Sequence, residues 1–214
     1  MFLLTGDVGS GKTTVCQKVA EGCRALGIPV AGLLSVGVLG PQGQRLAIQA
    51  VDLATGARQT LARLEGGEGT RLGPYTFDPA AVRWAVSVLE GEAEGPGLLL
   101  VDEIGPLELW LGEGLAPALP ALRRRAEGGK PLLLVVRTGF IAPLLRAMAP
   151  LHHPVRILRV AAHTREDLPQ QVLAALERGG APEAPGRNLL GSRTSEQVHE
   201  AGKEPFGAGR RAVA

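Results

Sequence analysis

Phe2 to Thr5 is a short apolar run ending at a glycine-rich turn, and from Lys12 to about Leu26 apolar residues recur at Val15, Val19, Cys23 and Leu26. A spacing of three and four predicts a helix, and Gly27 and Pro29 supply its stop, so the chain opens as strand, loop, helix. Val30 to Leu39 and Leu46 to Leu53 are rich in Val, Leu and Ile and are separated by Gly40, Pro41, Gln42 and Gly43, which predicts a hairpin. Thr55 and Gly56 turn the chain into a third strand, Gln59 to Leu64, and a glycine-rich loop is expected as far as Pro74. Asp78, with Pro79 behind it, reads as the N-cap of a helix that puts Val82, Ala85, Val86 and Leu89 on one face.

The second half alternates. Gly97 to Val101 is wholly apolar and ends in Asp102 and Glu103, a helix from about Gly114 to Ala126 follows, and Leu132 to Val136 is a second such strand. A short helix, Ile141 to Met148, a strand, Val155 to Val160, and a helix from about Arg165 to Glu177 complete the pattern. Unbroken apolar strands separated by helices predict an α/β domain with a mostly parallel buried sheet, here with a small antiparallel insertion beside it. After Gly179 the periodicity fails, which divides the chain into a domain over 1–178 and a disordered or loosely packed tail over 179–214.

Composition narrows the function classes. The 214 residues are 45% hydrophobic and 21% charged, the balance of one globular domain, and a net charge of +2 is too small to imply nucleic acid or an anionic membrane as partner. No apolar run is long enough to cross a membrane, and MFLLTGDVGSGK is too short and glycine-rich for a signal peptide, so a cytoplasmic protein is expected. Cys16 and Cys23 lie seven residues apart in one helix, about 10 Å along its axis, too far for a disulfide, and read as buried reduced thiols.

The chemistry begins at Gly6-Asp7-Val8-Gly9-Ser10-Gly11-Lys12-Thr13, a full match to G-x-x-x-x-G-K-[ST] placed between a strand and a helix. Glycines let successive backbone N–H groups curl inward onto phosphate oxygens, and the helix N-terminus adds its positive dipole end. Lys12 is expected to reach the β- and γ-phosphates, and Thr13 to offer its hydroxyl to Mg²⁺. At the end of its strand, Asp102 suits the Walker-B role of holding Mg²⁺, while Glu103 can polarise a water for in-line attack on the γ-phosphate or simply cap the next turn.

GDVGSGKTT, including the second threonine Thr14, the turn from Leu53 to Gly56, Gly73-Pro74-Tyr75 before a helix, and Val101-Asp102-Glu103-Ile104-Gly105-Pro106-Leu107-Glu108-Leu109 occur in that order. Together, over about Met1 to Leu176, they resemble the family of small P-loop nucleoside triphosphatases first described from thermophiles. The resemblance implies a RecA-like fold, Mg²⁺-dependent release of the terminal phosphate, loose choice of nucleobase, and an arginine, here Arg165, flanking the base. The chain departs from the family pattern in three places. Leu33-Leu34-Ser35-Val36-Gly37 lacks an acidic pair, Val136-Arg137-Thr138-Gly139 lacks an Ile-Pro, and Thr164-Arg165 stands for Asn-Arg.

Other side chains have two readings each. Thr138 senses the γ-phosphate or caps its strand, Arg137 supplies transition-state charge or a surface salt bridge, and Glu108 pins the loop that carries Glu103 or is solvated. Tyr75 packs or stacks on a base. Arg123-Arg124-Arg125 complements its own helix dipole, His152-His153 is a loop pair, and Trp84 and Trp110 anchor the core or its edge. The leading expectation is a slow nucleoside triphosphatase of broad base choice with Mg²⁺ as cofactor. A nucleoside or nucleotide kinase and a non-catalytic nucleotide switch are the alternatives, and any protein partner is left unspecified.

Overall fold

The computed structural model describes residues 1–64 and 66–179, so the expected tail falls outside the described residues from 180 onward. The elements run β1 (Phe2–Thr5), α1 (Lys12–Ala25), β2 (Val30–Leu39), β3 (Arg45–Asp52), β4 (Arg58–Leu64), β5 (Thr70–Leu72), β6 (Tyr75–Phe77), α2 (Pro79–Glu92), β7 (Leu98–Ile104) and α3 (Pro106–Leu109). Then come a short 3-10 turn at Ala116–Ala118, α4 (Leu119–Glu127), β8 (Leu132–Val136), a second 3-10 turn at Thr138–Phe140, α5 (Ile141–Ala147), β9 (Arg156–Arg159) and α6 (Leu168–Glu177).

The described strands form one sheet in the order β5-β6-β4-β3-β2-β7-β8-β1-β9. From β2 to β9 every pairing is parallel, and from β2 outward to β5 every pairing is antiparallel. The parallel strands are covered on both faces. Leu3, Leu99, Val101, Leu132, Leu134 and Val136 point to the side of α2, α4 and α5. Phe2, Leu4, Leu98, Leu100, Leu133 and Val135 point to the side of α1 and α6. Alternation between two apolar layers is why these strands read as unbroken hydrophobic runs.

The antiparallel part differs from expectation. The expected hairpin and third strand are present as β2, β3 and β4, but β5 and β6 extend them, and the antiparallel part continues the parallel sheet from β2 instead of lying beside it. Part of the expected glycine-rich loop is the hairpin β5-β6, in which Leu72 pairs with Tyr75 across Gly73 and Pro74. Gly73 has φ +60°, the left-handed conformation that a two-residue hairpin turn requires. β3 and β4 bury only alternate or scattered positions, as one-sided strands do.

Helix starts follow their caps. Asp78 Oδ1 accepts from the backbone N–H groups of Ala80 (2.8 Å) and Ala81 (3.0 Å), which fixes the start of α2. The expected helix from Gly114 begins later, at Leu119, and the one from Arg165 begins at Leu168, because Thr164 instead closes a turn with its hydroxyl on the Ala161 N–H and the Arg159 carbonyl. Arg125 departs most from expectation. It is fully buried and donates to the carbonyls of Ala93 (2.9 Å), Gly95 (3.0 Å), Gly97 (2.5 Å) and Pro131 (2.9 Å). It therefore serves the carboxyl end of α2 and the amino ends of β7 and β8, not the dipole of its own helix. Trp110 corrects a second expectation: α3 ends at Leu109, and Trp110 is 71% exposed, its ring 4.5 Å from that of Phe140. Trp84 packs at the core edge as expected. Cys16 and Cys23 are buried and unpaired, and burial pushes both thiols up. Among the described residues no helix is long and apolar enough to cross a membrane.

Candidate functional site

β1 delivers the chain to the carboxyl edge of the sheet, where the loop from Gly6 turns into α1. Gly11 has φ +96° and precedes α1 with no side-chain cap, so the amides of the first turn are left to a ligand. A side chain at Gly6 would meet the Val160 carbonyl at 2.8 Å, and one at Gly11 would meet Arg165 Cδ at 2.7 Å. The loop is thus held between β9 and the start of the last helical segment. Arg165 lies directly over it and pairs with Glu166 (3.2 Å), and Glu166 also pairs with Lys18 of α1.

Lys12 is buried, and its Nζ donates to the carbonyls of Gly6 and Asp7, both at 2.8 Å. An ammonium has three donors, so one remains for a phosphate oxygen. The Ser10 hydroxyl is buried and has no hydrogen-bond partner among the described residues.

β8 separates β1 from β7, and the two acids stand at the far side of it. Between β7 and β8 the register slips: Val101 pairs with Leu134 and Ile104 with Val136, so Asp102 and Glu103 face Val135 alone. A bulge of this kind re-aims side chains. Asp102 is 3% exposed and its Oδ2 accepts from the Ser35 amide (3.4 Å), while the Ser35 hydroxyl donates to the Asp102 carbonyl. Burial pushes the Asp102 carboxyl up to about 6, against hydrogen bonding from Thr13 and the Ser35 amide, and the charge of Glu103 adds to the rise. Thr13 and Asp102 are therefore neighbours.

Glu103 stays accessible and accepts from Arg137 Nε at 2.6 Å, so Arg137 is indeed in a salt bridge, with this acid as partner. Thr138 is exposed at the end of β8, its hydroxyl 3.4 Å from that of Thr5. Glu108 is buried and accepts from the N–H groups of Gly105 (2.8 Å) and Leu115 (3.1 Å), which pins the loop behind Glu103; burial is the main reason its carboxyl is raised. Tyr75 lies on β6 and donates to the Arg45 carbonyl (3.3 Å).

A cavity of about 350 Å³ joins these parts. Val8, Gly9, Gly11, Lys12, Thr13 and Thr14 line one end, and Asp102, Glu103 and Arg137 its middle. Gly6, Asp7 and Ser10 complete the loop without lining the cavity, and Arg165 flanks it from the α6 side. The other end is mainly apolar, lined by residues of β3, β4, β5, β6, α2 and the segment after β7. Sequence reasoning missed that wall and Ser35. Each of its residues is an ordinary hydrophobic position far from the others in sequence, and the one local signal was a lone serine in an apolar strand.

A family model described as NTPase matches residues 1–173. Nucleoside-triphosphatase THEP1 of Hyperthermus butylicus is 35% identical over 179 residues, covering 84% of this chain and 92% of that protein. Nucleoside-triphosphatase THEP1 of Methanopyrus kandleri is 32% identical over 171 residues, covering 80% and 92%. Among solved structures, a human cancer-related nucleoside triphosphatase superposes with a TM-score of 0.66 at 27% identity, over 83% of this chain and 97% of that one. THEP1 of Aquifex aeolicus superposes with a TM-score of 0.65 at 18% identity, over 83% and 100%, and supports the fold alone. The P-loop α/β fold expected from sequence is the fold found. With a matching family model over most of its length and relatives that it covers almost end to end, the chain belongs to the nucleoside-triphosphatase family and is a nucleoside-triphosphate hydrolase.

Proposed function

We propose that this enzyme removes the terminal phosphate of ATP, GTP and other nucleoside triphosphates, releasing diphosphate and phosphate, slowly, with Mg²⁺ and little choice of base, in the cytoplasm. The observation that carries the reading is the convergence of Lys12, Thr13, Asp102 and Glu103 on one cavity. Lys12 and the amides of the loop from Gly6 to Thr14 hold the phosphates. The Thr13 hydroxyl and the buried Asp102 carboxylate are adjacent hard oxygens, a donor set that fits Mg²⁺, which binds through one or two protein oxygens, waters and substrate phosphates. When bound, the ion neutralises charge on the phosphate oxygens. Asp102 sits too deep to meet water freely, whereas Glu103 keeps one side open to solvent, so the two acids divide the work. Glu103 accepts the proton of the attacking water, and Arg137 orients its carboxylate.

Arg165 flanks the nucleobase with a guanidinium that stacks on any base, which accounts for loose specificity. Arg137 is engaged by Glu103 and Arg165 by Glu166, so neither arginine near the loop serves as a finger, and turnover is correspondingly slow. The test is a hydrolysis profile with γ-labelled ATP, GTP, CTP and UTP, with Mg²⁺ and with EDTA. Comparable rates for the four substrates, label in free phosphate and dependence on Mg²⁺ are expected. Activity confined to one base, or unaffected by EDTA, contradicts the reading.

A further inference from the structure

The cavity of about 350 Å³ is within the range of small-molecule pockets and takes the triphosphate at its Val8 to Thr14 end, yet its walls continue past Glu103, where hydrolysis needs only one attacking water. This part lies away from the phosphate loop. Ile48, Leu61, Phe77, Val82, Leu107 and Leu115 line it.

This chamber is built, not left over. At the β3-β4 pairing Ile48 faces Ala62 and Gln49 faces Thr60, so Leu61 is an extra residue with no partner on β3. Its carbonyl accepts from the Asp78 N–H (2.9 Å), which ties the bulge to the start of α2 and brings Val82 over the cavity. On the opposite side Glu108 pins Gly105 and Leu115, and the Thr70 hydroxyl of β5 donates to Glu113. Both walls are therefore anchored to the sheet.

We propose that the chamber binds a second substrate, a small alcohol with an apolar body, and that the enzyme transfers the terminal phosphoryl group to its hydroxyl. The proposal rests on the reading above for the triphosphate and for Glu103. Aliphatic walls and one phenyl ring fit a hydrocarbon or aryl body, and a sugar would leave hydroxyls unpaired against them. The ionisable side chains lining the apolar end are Arg45, at its exposed rim, and Glu108, whose oxygens accept from the Gly105 and Leu115 amides, so there is too little positive charge to hold a phosphorylated acceptor. The alcohol oxygen attacks the γ-phosphorus and forms the new O–P bond. The bond from that phosphorus to the β,γ-bridging oxygen breaks, and nucleoside diphosphate leaves. The hydroxyl proton passes to the Glu103 carboxylate and then to solvent. Water and alcohol compete for one position, so phosphate release is the side reaction seen when the chamber holds only water.

The test uses the full chain, Mg²⁺ and γ-labelled ATP, with benzyl alcohol and n-hexanol as probes and glycerol as polar control. Label is expected in benzyl and hexyl phosphate, in proportion to alcohol concentration, and none in glycerol phosphate. Filling the chamber with Val82→Trp, or more mildly with Ile48→Phe, is expected to cut transfer about tenfold or more while free phosphate release changes by no more than about twofold. Label that stays in free phosphate at every alcohol concentration overturns the proposal and spares the hydrolase reading. Transfer that both filling variants leave intact overturns the chamber assignment. If no label leaves ATP at all, both readings fall together.

Discussion

The two ends of the sheet position their functional groups by different means. On the parallel side, from β2 to β9, strands buried on both faces bring the chain to one edge, and the chemistry there is set largely by main chain. The glycine-bent loop from Gly6 to Gly11, the uncapped start of α1 and the bulge at Asp102 and Glu103 are all backbone features. On the antiparallel side, from β3 to β5, strands with one covered face contribute no ionised group beyond Arg45 to the cavity, and the contribution is the volume and shape of Ile48, Leu61 and Phe77. Backbone-set groups tolerate little, because a changed φ or an added Cβ moves a whole row of donors. Volume-set walls accept exchanges of similar size, since packing depends on shape more than identity. Damage at the parallel edge should therefore remove turnover, and damage at the other end should change selectivity.

The largest effect expected is at the parallel edge. Lys12→Ala removes the ammonium that the Gly6 and Asp7 carbonyls hold in place, and kcat/KM for phosphate release should fall about 10³-fold with the circular dichroism spectrum unchanged. Next is the frame beneath that edge. Arg125→Met abandons the carbonyls of Ala93, Gly95, Gly97 and Pro131 around the amino ends of β7 and β8, and a loss of about 3 kcal/mol is expected in urea denaturation, with the activity of the remaining folded protein retained. An equal loss of specific activity would show that the frame and the chemistry are less separable than the two-ended description holds.

The smallest effect is at the junction of the two ends. Burial holds the Glu108 carboxyl above the ordinary glutamate range, so the unfolded chain releases this proton first as pH rises. Its favourable contribution is complete below the ordinary value and is lost as pH climbs through the raised folded one. As pH rises above the ordinary glutamate value the wild type should thus lose stability that Glu108→Gln does not lose, seen as a flatter plot of Tm against pH for the variant.

The same difference between the ends governs what was legible in the sequence. Gly6 to Thr13 and Val101-Asp102-Glu103 are contiguous because the main chain there is itself the device, so spacing and residue type reveal them together. The unbroken runs at Phe2, Leu98 and Leu132 also announce a parallel sheet, since burial on both faces leaves no polar position. β5 and β6 were hidden because three-residue strands carry too few positions for a period, and the Gly73-Pro74 turn between them resembles any loop. The burial of Arg125 was hidden because its partners are carbonyls, which every residue has. Trp110 was misjudged because a large apolar side chain gives no sign of which way a one-turn helix releases the chain. The chamber wall was invisible as a unit: hydrophobic side chains from six segments meet only in three dimensions.

The central claim is that Glu103 takes the proton of the group attacking the terminal phosphate. Glu103→Gln keeps the shape of the side chain and removes its basicity, so single-turnover release of labelled phosphate from Mg²⁺-ATP, measured beside nucleotide affinity, tests it most directly. The account predicts release slowed about 10²- to 10⁴-fold at unchanged affinity. Release at the wild-type rate from the glutamine variant would contradict it.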